Sequence, residues 1–329
     1  MGTFQTATIT LAALLVANSV AFAQSPGQWS NQPIGRLGEA ASYTSPDETL
    51  RLDASIGAAY IEGSEKVFIG NYTLSHLIWQ STAPILRGSV ALEVGNGFSV
   101  KAEGATAGFG RSYMEDYDWT RGDDTFNNWS HRSQHPDTNL DHYYTGGASL
   151  GYELVRDNRA VVRAHGGFKY TDVKWSAYGG SYVYSNPGFR DDVGSFADGT
   201  PAIAYRQQFP ELFLGIDGEE RYGNFRVGGL LRGGMTFLST ATDEHWMRDL
   251  RFVDTLYVAP TFTAGVDLGF ALGRNAELTL AARYDQVFEA RGDTTYSYIS
   301  SGASRGSAAG AAGGGMRSAE ITAGLRGTF

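Results

Sequence analysis

The chain has 329 residues and a formal net charge of −9, and it contains 43 glycines, 18 tyrosines and 18 phenylalanines but no cysteine. The lack of cysteine excludes a disulfide scaffold and thiol catalysis. The negative charge disfavours nucleic acid as a partner and mildly favours cationic ligands.

The first predicted element is a secretory signal peptide over residues 1–23. An apolar run that starts at Leu11 ends in the small-x-small pattern Ala21-Phe22-Ala23 before Gln24, which is typical of a signal cleavage site. After residue 23 no apolar stretch approaches the roughly 20 residues that a membrane helix needs. We therefore expect an exported chain whose mature part begins near Gln24.

The mature chain contains segments in which apolar and polar residues alternate with a period of two. They cover residues 98–104, 227–237, 255–272, 278–284 and 318–329. Long strands with one apolar and one polar face are typical of a transmembrane barrel that has lipid outside and a polar lumen. The sequence therefore predicts an all-β membrane protein.

Short turns alternate along the chain with longer polar connections. Turn residues occupy 95–97, 156–159, 222–224 and 273–275, and longer connections lie near 63–70, 120–139, 185–201, 244–252 and 297–316. This arrangement predicts a ten-stranded antiparallel transmembrane β-barrel with long extracellular loops, formed by residues 24–329. Pro84 requires a bulge or an irregular stretch in the second strand, and the Gly-, Ala- and Ser-rich segment 301–315 is expected to form a loop.

Two short polar segments carry the candidate chemistry. Asp116 and Asp118 end the third predicted strand, and Asp243 and His245 end the seventh. Residues at i and i+2 of a strand project from the same face, and strands three and seven lie nearly opposite each other in a ten-stranded barrel. A His-Asp pair facing two carboxylates could hold and deprotonate a water molecule, so the sequence favours a hydrolase.

Less specific interpretations of these segments stay open. An Asp-x-Asp pair in a loop is often solvated, or it can bind a divalent cation. Sequence parity also places Asp116 on the same side as the lipid-facing Phe98, and Asp243 on the same side as Met235. Either bulges near Gly104, Gly108 or Gly110 shift the register, or the strands extend past the bilayer.

Three histidines near the second long connection raise the question of a metal site. His131, His135 and His142 have helical spacing, but segment 127–138 reads as a loop that contains Pro136. We expect hydrogen-bonding or surface roles for these side chains and no metal.

The chain resembles the omptin family of outer-membrane endopeptidases from about residue 50 to residue 329. The resemblance rests on Met114-x-Asp116-x-Asp118-Trp119, on His135-Pro136-Asp137-Thr138 and on Asp243-Glu244-His245. Its most specific part is the string Gly179-Gly180-Ser181-Tyr182-Val183-Tyr184-Ser185, which is followed by Gly188-Phe189-Arg190-Asp191-Asp192-Val193-Gly194-Ser195-Phe196.

The resemblance implies a monomeric ten-stranded barrel in the outer membrane whose exterior groove cleaves peptides beside basic residues. Asp116 and Asp118 would be its acid pair, and Asp243 and His245 its dyad. His245 would activate a water held with Asp116, Asp243 would orient His245, and Asp118 would support the site. No metal, cofactor or acyl-enzyme is implied.

Two departures from the family pattern concern specificity and lipid. The pocket for the basic residue before the scissile bond keeps one carboxylate as Glu65, beside Ile203 at its wall, but the second position is Ala241. Unless another acid substitutes, this loss should weaken an arginine contact by about 1–3 kcal/mol.

The second departure lies on the outer wall, where the family grips lipopolysaccharide as an activator with basic residues. Two of those positions read Asp172 and Gln208, although Arg206 is close by. The expected partners are outer-membrane lipid and cationic peptides or proteins. The competing functional class is a non-enzymatic barrel that acts as an adhesin or a narrow porin.

Overall fold

The computed structural model describes residues 49–329 of the chain. The predicted signal peptide and the cleavage site near Gln24 lie outside these residues. The strands are β1 Leu50–Ile69, β2 Tyr72–Gly95, β3 Phe98–Ala107, β4 Arg111–Asp118, β5 His131–Arg156, β6 Ala160–Tyr178, β7 Ser181–Tyr184, β8 Asp192–Ser195, β9 Pro201–Tyr222, β10 Phe225–Thr236, β11 Ser239–His245, β12 Leu250–Leu256, β13 Pro260–Ala271, β14 Ala276–Tyr298 and β15 Ser304–Thr328. Two 3₁₀ turns, Phe126–Asn128 and Trp246–Arg248, complete the described elements.

The strands close into one antiparallel ring. β1 pairs with β2, and the chain continues around the ring in ten positions. β3 with β4, β10 with β11, and β12 with β13 each share one position, and β1, β2, β5, β6, β9, β14 and β15 each occupy one alone. β15 then pairs with β1 over the register from Arg51↔Thr328 to Val67↔Ala312. We call each of these ten positions in the barrel wall, whether one long strand or two consecutive shorter ones, a stave. The prediction of a ten-stranded antiparallel barrel is confirmed.

Alternation along the strands separates a lipid-facing surface from a polar lumen. On β15, Ile321 and Leu325 are exposed, while Glu320 and Thr322, on either side of Ile321, are buried inside the ring. This is the outward-apolar, inward-polar order of a membrane barrel. Among the described residues, no helix is long and apolar enough to cross a membrane.

The inside of the barrel is lined by ion pairs at one end. A cavity of about 770 Å³ in that region is lined by charged side chains of both signs. Arg226 is 1% exposed, and its Nε lies 2.9 Å from Glu277. Lys169 Nζ lies 2.9 Å from Glu211 and 3.0 Å from Asp285. We call this region the lower lumen.

An aromatic layer separates the lower lumen from the opposite mouth of the barrel. The rings of Trp79 and Trp175 lie 6.1 Å apart, those of Trp79 and Tyr205 lie 6.0 Å apart, and each of these side chains is 0% exposed. Stacked rings bury large apolar areas and leave no room for water between them. The aromatic layer therefore forms the floor of the mouth.

The strands at the mouth extend beyond the apolar belt. At this level the outward side chains are polar: Tyr60 and Gln80 donate hydrogen bonds to Glu62, and Tyr113 and Gln134 donate to Glu115. A lipid face at this height would leave these groups without water. The mouth therefore lies outside the membrane-spanning segments.

Three local predictions were wrong. Residues 63–70 are almost entirely strand, residues 131–138 of the segment expected to be a loop belong to β5, and the segment 301–315 is mostly part of β15 instead of a loop. Small residues are needed there because a Cβ on Gly313 would come within 2.5 Å of the Phe68 ring, and one on Gly314 within 2.9 Å of Leu256. The composition that suggested a loop reflects close packing inside the barrel.

The irregularity expected at Pro84 lies in the neighbouring stave. β2 continues through Pro84, which pairs with Ala58 of β1. On its other side the ladder stops at Ile85↔Ala107 and resumes at Thr82↔Arg111. The irregularity therefore lies between β3 and β4, in the strand that pairs with the Pro84 region of β2.

Candidate active site

A one-residue bulge turns the acid pair into the mouth. Between Ala107 and Arg111 the third stave has three residues, whereas β2 has two between the matching partners. An extra residue moves every later side chain to the other face of the sheet. Asp116 therefore points inward although its parity matches Phe98, and the predicted bulge near Gly108 and Gly110 is confirmed.

A second bulge does the same for the dyad. Three residues separate Thr236 from Thr240, whereas two separate the matching partners on β9. Leu238 in this bulge has a positive φ of 51°, and its side chain is 80% exposed. After the bulge Asp243 is 3% exposed and faces inward, whereas Met235 before it faces outward at 55%.

Asp243 and His245 form a hydrogen-bonded pair on the inner face of β11. His245 Nε2 lies 2.6 Å from Asp243 Oδ2, and the His245 side chain keeps 13% of its surface exposed. Burial alone would lower the pKa of His245, but the adjacent Asp243 carboxylate outweighs it and the pKa is raised. The pair is thus preorganised, and the ring still reaches solvent in the groove.

The acid pair lies on β4 across the mouth. Ser75 Oγ donates to Asp116 Oδ1 over 3.2 Å. Burial, and then the neighbouring Asp118 carboxylate, raises the pKa of Asp116 to about 8, against the opposing charge of His245. Burial also raises the pKa of Asp118, although Ser75 and His131 oppose this. The two carboxyl groups therefore share a proton more readily than isolated acids.

The pocket residues Glu65 and Ile203 lie beside the dyad. Ile203 of β9 pairs with His245 and is 6% exposed. Glu65 of β1 is 3% exposed, and burial, followed by the charge of Asp243, raises its pKa well above the ordinary value. Apart from the hydrogen bond that the two carboxyl groups can share when Glu65 is protonated, neither Glu65 Oε2 nor Asp243 Oδ1 has a donor among the residues that the structure describes.

The structure brings together the six residues expected at the site and adds others that sequence reasoning missed. Ser75 donates to Asp116, and the ring of Tyr184 lies 5.2 Å from that of His131 at a tilted angle. Burial and the charges of Asp116 and Asp118 raise the pKa of Tyr184. Tyr184 lies within the specific 179–185 string, which was a usable signal. Ser75 had none, because only the register of β2 against β4 brings it there.

The three histidines near the second connection have separate partners. His131 contacts Ser130 Oγ at 2.9 Å, His135 contacts Ser133 Oγ at 2.9 Å, and His142 pairs with Asp172 at 2.9 Å. These contacts agree with the hydrogen-bonding roles expected from sequence.

The outer-wall residues form one polar cluster. Asp172 accepts a hydrogen bond from Arg206 Nε at 2.9 Å and one from Gln208 at 3.2 Å, in addition to its contact with His142. Burial would raise the pKa of Asp172, but the bonds from Arg206 and His142 hold it below its ordinary value. The positive charge of Arg206 is thus already paired.

Comparison with known proteins identifies relatives of the whole barrel. The sequence model of the Omptin family matches residues 46–329. The chain is 29% identical over 267 residues to Protease 7 of Escherichia coli (strain K12), covering 78% of this chain and 83% of that protein. It is 28% identical to the plasminogen activator of Yersinia pestis over 258 residues, with 78% and 81% covered.

A third relative and a solved structure agree with these matches. The outer membrane protease OmpP of Escherichia coli (strain K12) is 27% identical over 262 residues, with 78% of this chain and 82% of that protein covered. The crystal structure of the outer membrane protease OmpT from Escherichia coli superposes with a TM-score of 0.81 at 25% identity, covering 88% of this chain and 100% of that one.

Proposed function

The chain belongs to the omptin family and is an outer-membrane protease, and we propose that it is an endopeptidase in which His245 activates a water for attack on a peptide carbonyl. The observation that supports this most directly is the 2.6 Å contact between His245 Nε2 and Asp243 in a groove that also holds Asp116 and Asp118. The groove opens to the exterior of the cell in this proposal.

The dyad supplies the base. With its Nε2–H donated to Asp243, His245 keeps its lone pair on Nδ1, which can accept a proton from water. The Asp243 carboxylate stabilises the imidazolium that forms. The imidazolium then returns the proton to the leaving amine, so the protease forms no covalent bond with the substrate.

The acid pair holds the same water from the other wall. Asp116 and His245 influence each other electrostatically, as two groups that flank one water would do. One carboxylate of the pair can accept from the water, while the shared proton can be donated to the oxyanion of the tetrahedral intermediate. Asp118 supports Asp116 in this arrangement.

The substrate class follows from the charge of the groove. Glu65, Asp116, Asp118 and Asp243 are all acidic, so a cationic peptide is favoured over an anionic one. We propose cleavage beside Arg or Lys, with Glu65 as a contact for the basic side chain and Ile203 at the pocket wall.

The aromatic layer counts against the narrow-porin alternative. Its buried rings lie between the groove and the lower lumen, and paired charges line the lower lumen. A conducting pore needs a continuous aqueous path. An adhesin would not need the buried dyad.

Turnover of a quenched dibasic peptide by the full chain refolded in detergent tests the proposal. His245→Ala should lower kcat about 10²- to 10⁴-fold because the base is removed. His76→Ala is the matched control, since His76 bonds Ser64 on the outer face of the same rim. Equal cleavage by His245→Ala and wild type would refute the mechanism, and cleavage only between apolar residues would refute the substrate class.

Lipopolysaccharide activation stays a prediction of the family resemblance. Because Arg206 is already paired with Asp172, the outer wall offers less free positive charge to lipid phosphates than an unpaired arginine would. We propose a weak dependence of activity on lipopolysaccharide.

A further inference from the structure

An acid that sequence reasoning did not single out lies beside Ala241. Asp254 of β12 is the cross-strand partner of Ala241 of β11. Residues directly opposite each other in an antiparallel pair project from the same face of the sheet. Asp254 is 5% exposed and Ala241 is 1% exposed, so both point into the mouth.

Asp254 forms a buried acidic cluster with two site residues. The Asp254 charge acts on Glu65, and the Asp243 charge acts on both. Its cross-strand neighbour on the other side is Thr294 of β14, whose hydroxyl lowers the pKa of Asp254. Within residues 49–329, no lysine or arginine forms an ion pair with Glu65, Asp243 or Asp254.

The cluster has acceptor atoms that lack donors. Glu65 is 97% buried, and apart from the hydrogen bond that the Glu65 and Asp243 carboxyl groups can share, its Oε2 and the Oδ1 of Asp243 have no donor in the described part of the chain. Buried carboxylates are normally paired with a cation or with several donors. A donor that arrives with the substrate would satisfy them.

We infer that Asp254 of β12 supplies the second carboxylate of the pocket for the substrate's cationic side chain. The neighbouring strand β11 has Ala241 at the position where this carboxylate was expected. The inference rests on the proposed endopeptidase function and adds a specificity-determining residue to it. The ligand is a guanidinium or ammonium group at the residue before the scissile bond.

The depth of the cluster fits a long basic side chain. Ala241 and Asp254 lie two residues below Asp243 along the strand, which is roughly 7 Å. Glu65 and Asp254 reach this level from β1 and β12, while Gln207 and Tyr205 of β9 are buried at the floor. A side chain with a flexible apolar stem and a charged tip can reach down from the scissile bond to this level.

The titration of the cluster gives a second observable. Burial raises the pKa of Asp254 to about 7, with Asp243 adding to the rise and Thr294 opposing it. The groups that face it are Glu65 of β1, Asp243 of β11, Tyr205 of β9 and Thr294 of β14. Because a cation prefers the ionised form, KM for a basic substrate should fall as the pH rises through 7.

Paired substrates isolate the pocket from the chemistry. We suggest two quenched peptides that differ only in arginine or citrulline before the cut, assayed with the full chain in detergent. Asp254→Asn should lower kcat/KM for the arginine peptide about 10- to 100-fold, leave the citrulline peptide nearly unchanged and flatten the pH dependence of KM. Asp137→Asn is the matched control, because Asp137 is exposed on the outer surface.

A double variant tests the compensation. Asp254→Ala combined with Ala241→Asp moves the carboxylate across the strand pair and should recover most of the preference for arginine over citrulline. Heat-modifiable electrophoretic mobility verifies that each variant is folded. An unchanged arginine-to-citrulline ratio in folded Asp254→Asn would overturn the inference while the protease assignment stands. No cleavage of either peptide by wild type would instead refute the proposed function.

Discussion

The lower lumen and the mouth groove both bury carboxylates, but they treat them in opposite ways. In the lower lumen Asp285 lies 3.0 Å from Lys169 and 2.8 Å from Arg283, and Glu277 lies 2.9 Å from Arg226. Each of these acids has at least one basic partner inside the barrel, so the interior charge is largely cancelled.

In the mouth groove the acids lie close to one another, and their one ion pair within the described residues is that of Asp243 with His245, although the charges of His131 and Arg248 also act on Asp118. Glu65, Asp243 and Asp254 form no ion pair with lysine or arginine in the described residues, and Asp116 has Ser75 as its hydrogen-bond donor. Paired buried charges hold a structure together, whereas unpaired ones are costly and are kept where they act on a ligand. Burial alone thus does not distinguish structural from functional carboxylates, but the presence of a partner does.

The largest effect is expected from a substitution in the Asp243–His245 pair. Asp243→Asn should lower kcat about 10²- to 10⁴-fold, because the imidazolium loses its stabilising charge. Without the carboxylate, burial dominates and the pKa of His245 falls, so the acid limb of the residual activity should move to lower pH. A pH–rate profile checks both; an acid limb that stays in place would contradict the assignment of His245 as the base.

Breaking a pair in the lower lumen should instead cost stability. Arg226→Ala removes the most buried cation beside Glu277 and Asp267, although Arg221 still pairs with Glu277 and Arg326 with Asp267. We expect a loss of about 1.5–3 kcal/mol in the free energy of unfolding. Urea unfolding in detergent measures it, with Arg274→Ala in an exposed turn as the control. If Arg226→Ala is as stable as the control, the lower lumen does not depend on charge pairing.

Removing an acid that lacks a basic partner from the groove should instead increase the free energy of unfolding. Glu65→Gln keeps a donor beside Asp243 without the cost of holding a proton that the unfolded chain releases, so we expect unfolding to become harder by about 1 kcal/mol at neutral pH. Since the folded pKa of Glu65 is raised, the wild type holds a proton that the unfolded chain releases above pH 4.5, and it loses stability as the pH rises.

The advantage of Glu65→Gln should therefore shrink below pH 4.5 and grow above it. Unfolding measured at several pH values provides the check, with Asp137→Asn as a control that shows no such trend. A destabilised Glu65→Gln would mean that Glu65 has a donor that we have not identified.

The smallest effect is expected at Ala241. Because Asp254 already provides a carboxylate at this level, Ala241→Asp alone should change the preference for arginine less than about threefold. A like charge directly across the strand pair should also lower stability by about 0.2–1 kcal/mol. Substrate ratios measured beside wild type test this, and a tenfold sharpening would show that the pocket lacked its second carboxylate.

Local pattern predicted a large part of this protein. The period-two alternation in segments such as 318–329 predicts the barrel, because lipid outside and a polar lumen impose opposite demands on successive side chains. The same reasoning failed for 301–315, since small residues favour both mobile loops and tight packing against Phe68 and Leu256. Composition cannot separate these cases without the neighbouring strand.

The site shows where the limit lies. The i, i+2 spacing places Asp116 with Asp118, and Asp243 with His245, on common faces, and this is a property of a single strand. Which face points inward depends on two bulges. Each bulge is visible only when the residues of one strand are counted against those of the strand that pairs with it.

The residue order of this chain therefore establishes the barrel, its likeness to a protease family and the candidate catalytic side chains, because each depends on local periodicity or on a contiguous motif. Tertiary structure alone decides which acids are left unpaired and that Asp254 lies opposite Ala241. These features depend on the register between strands, and register is set by the closure of the whole ring rather than by any one segment.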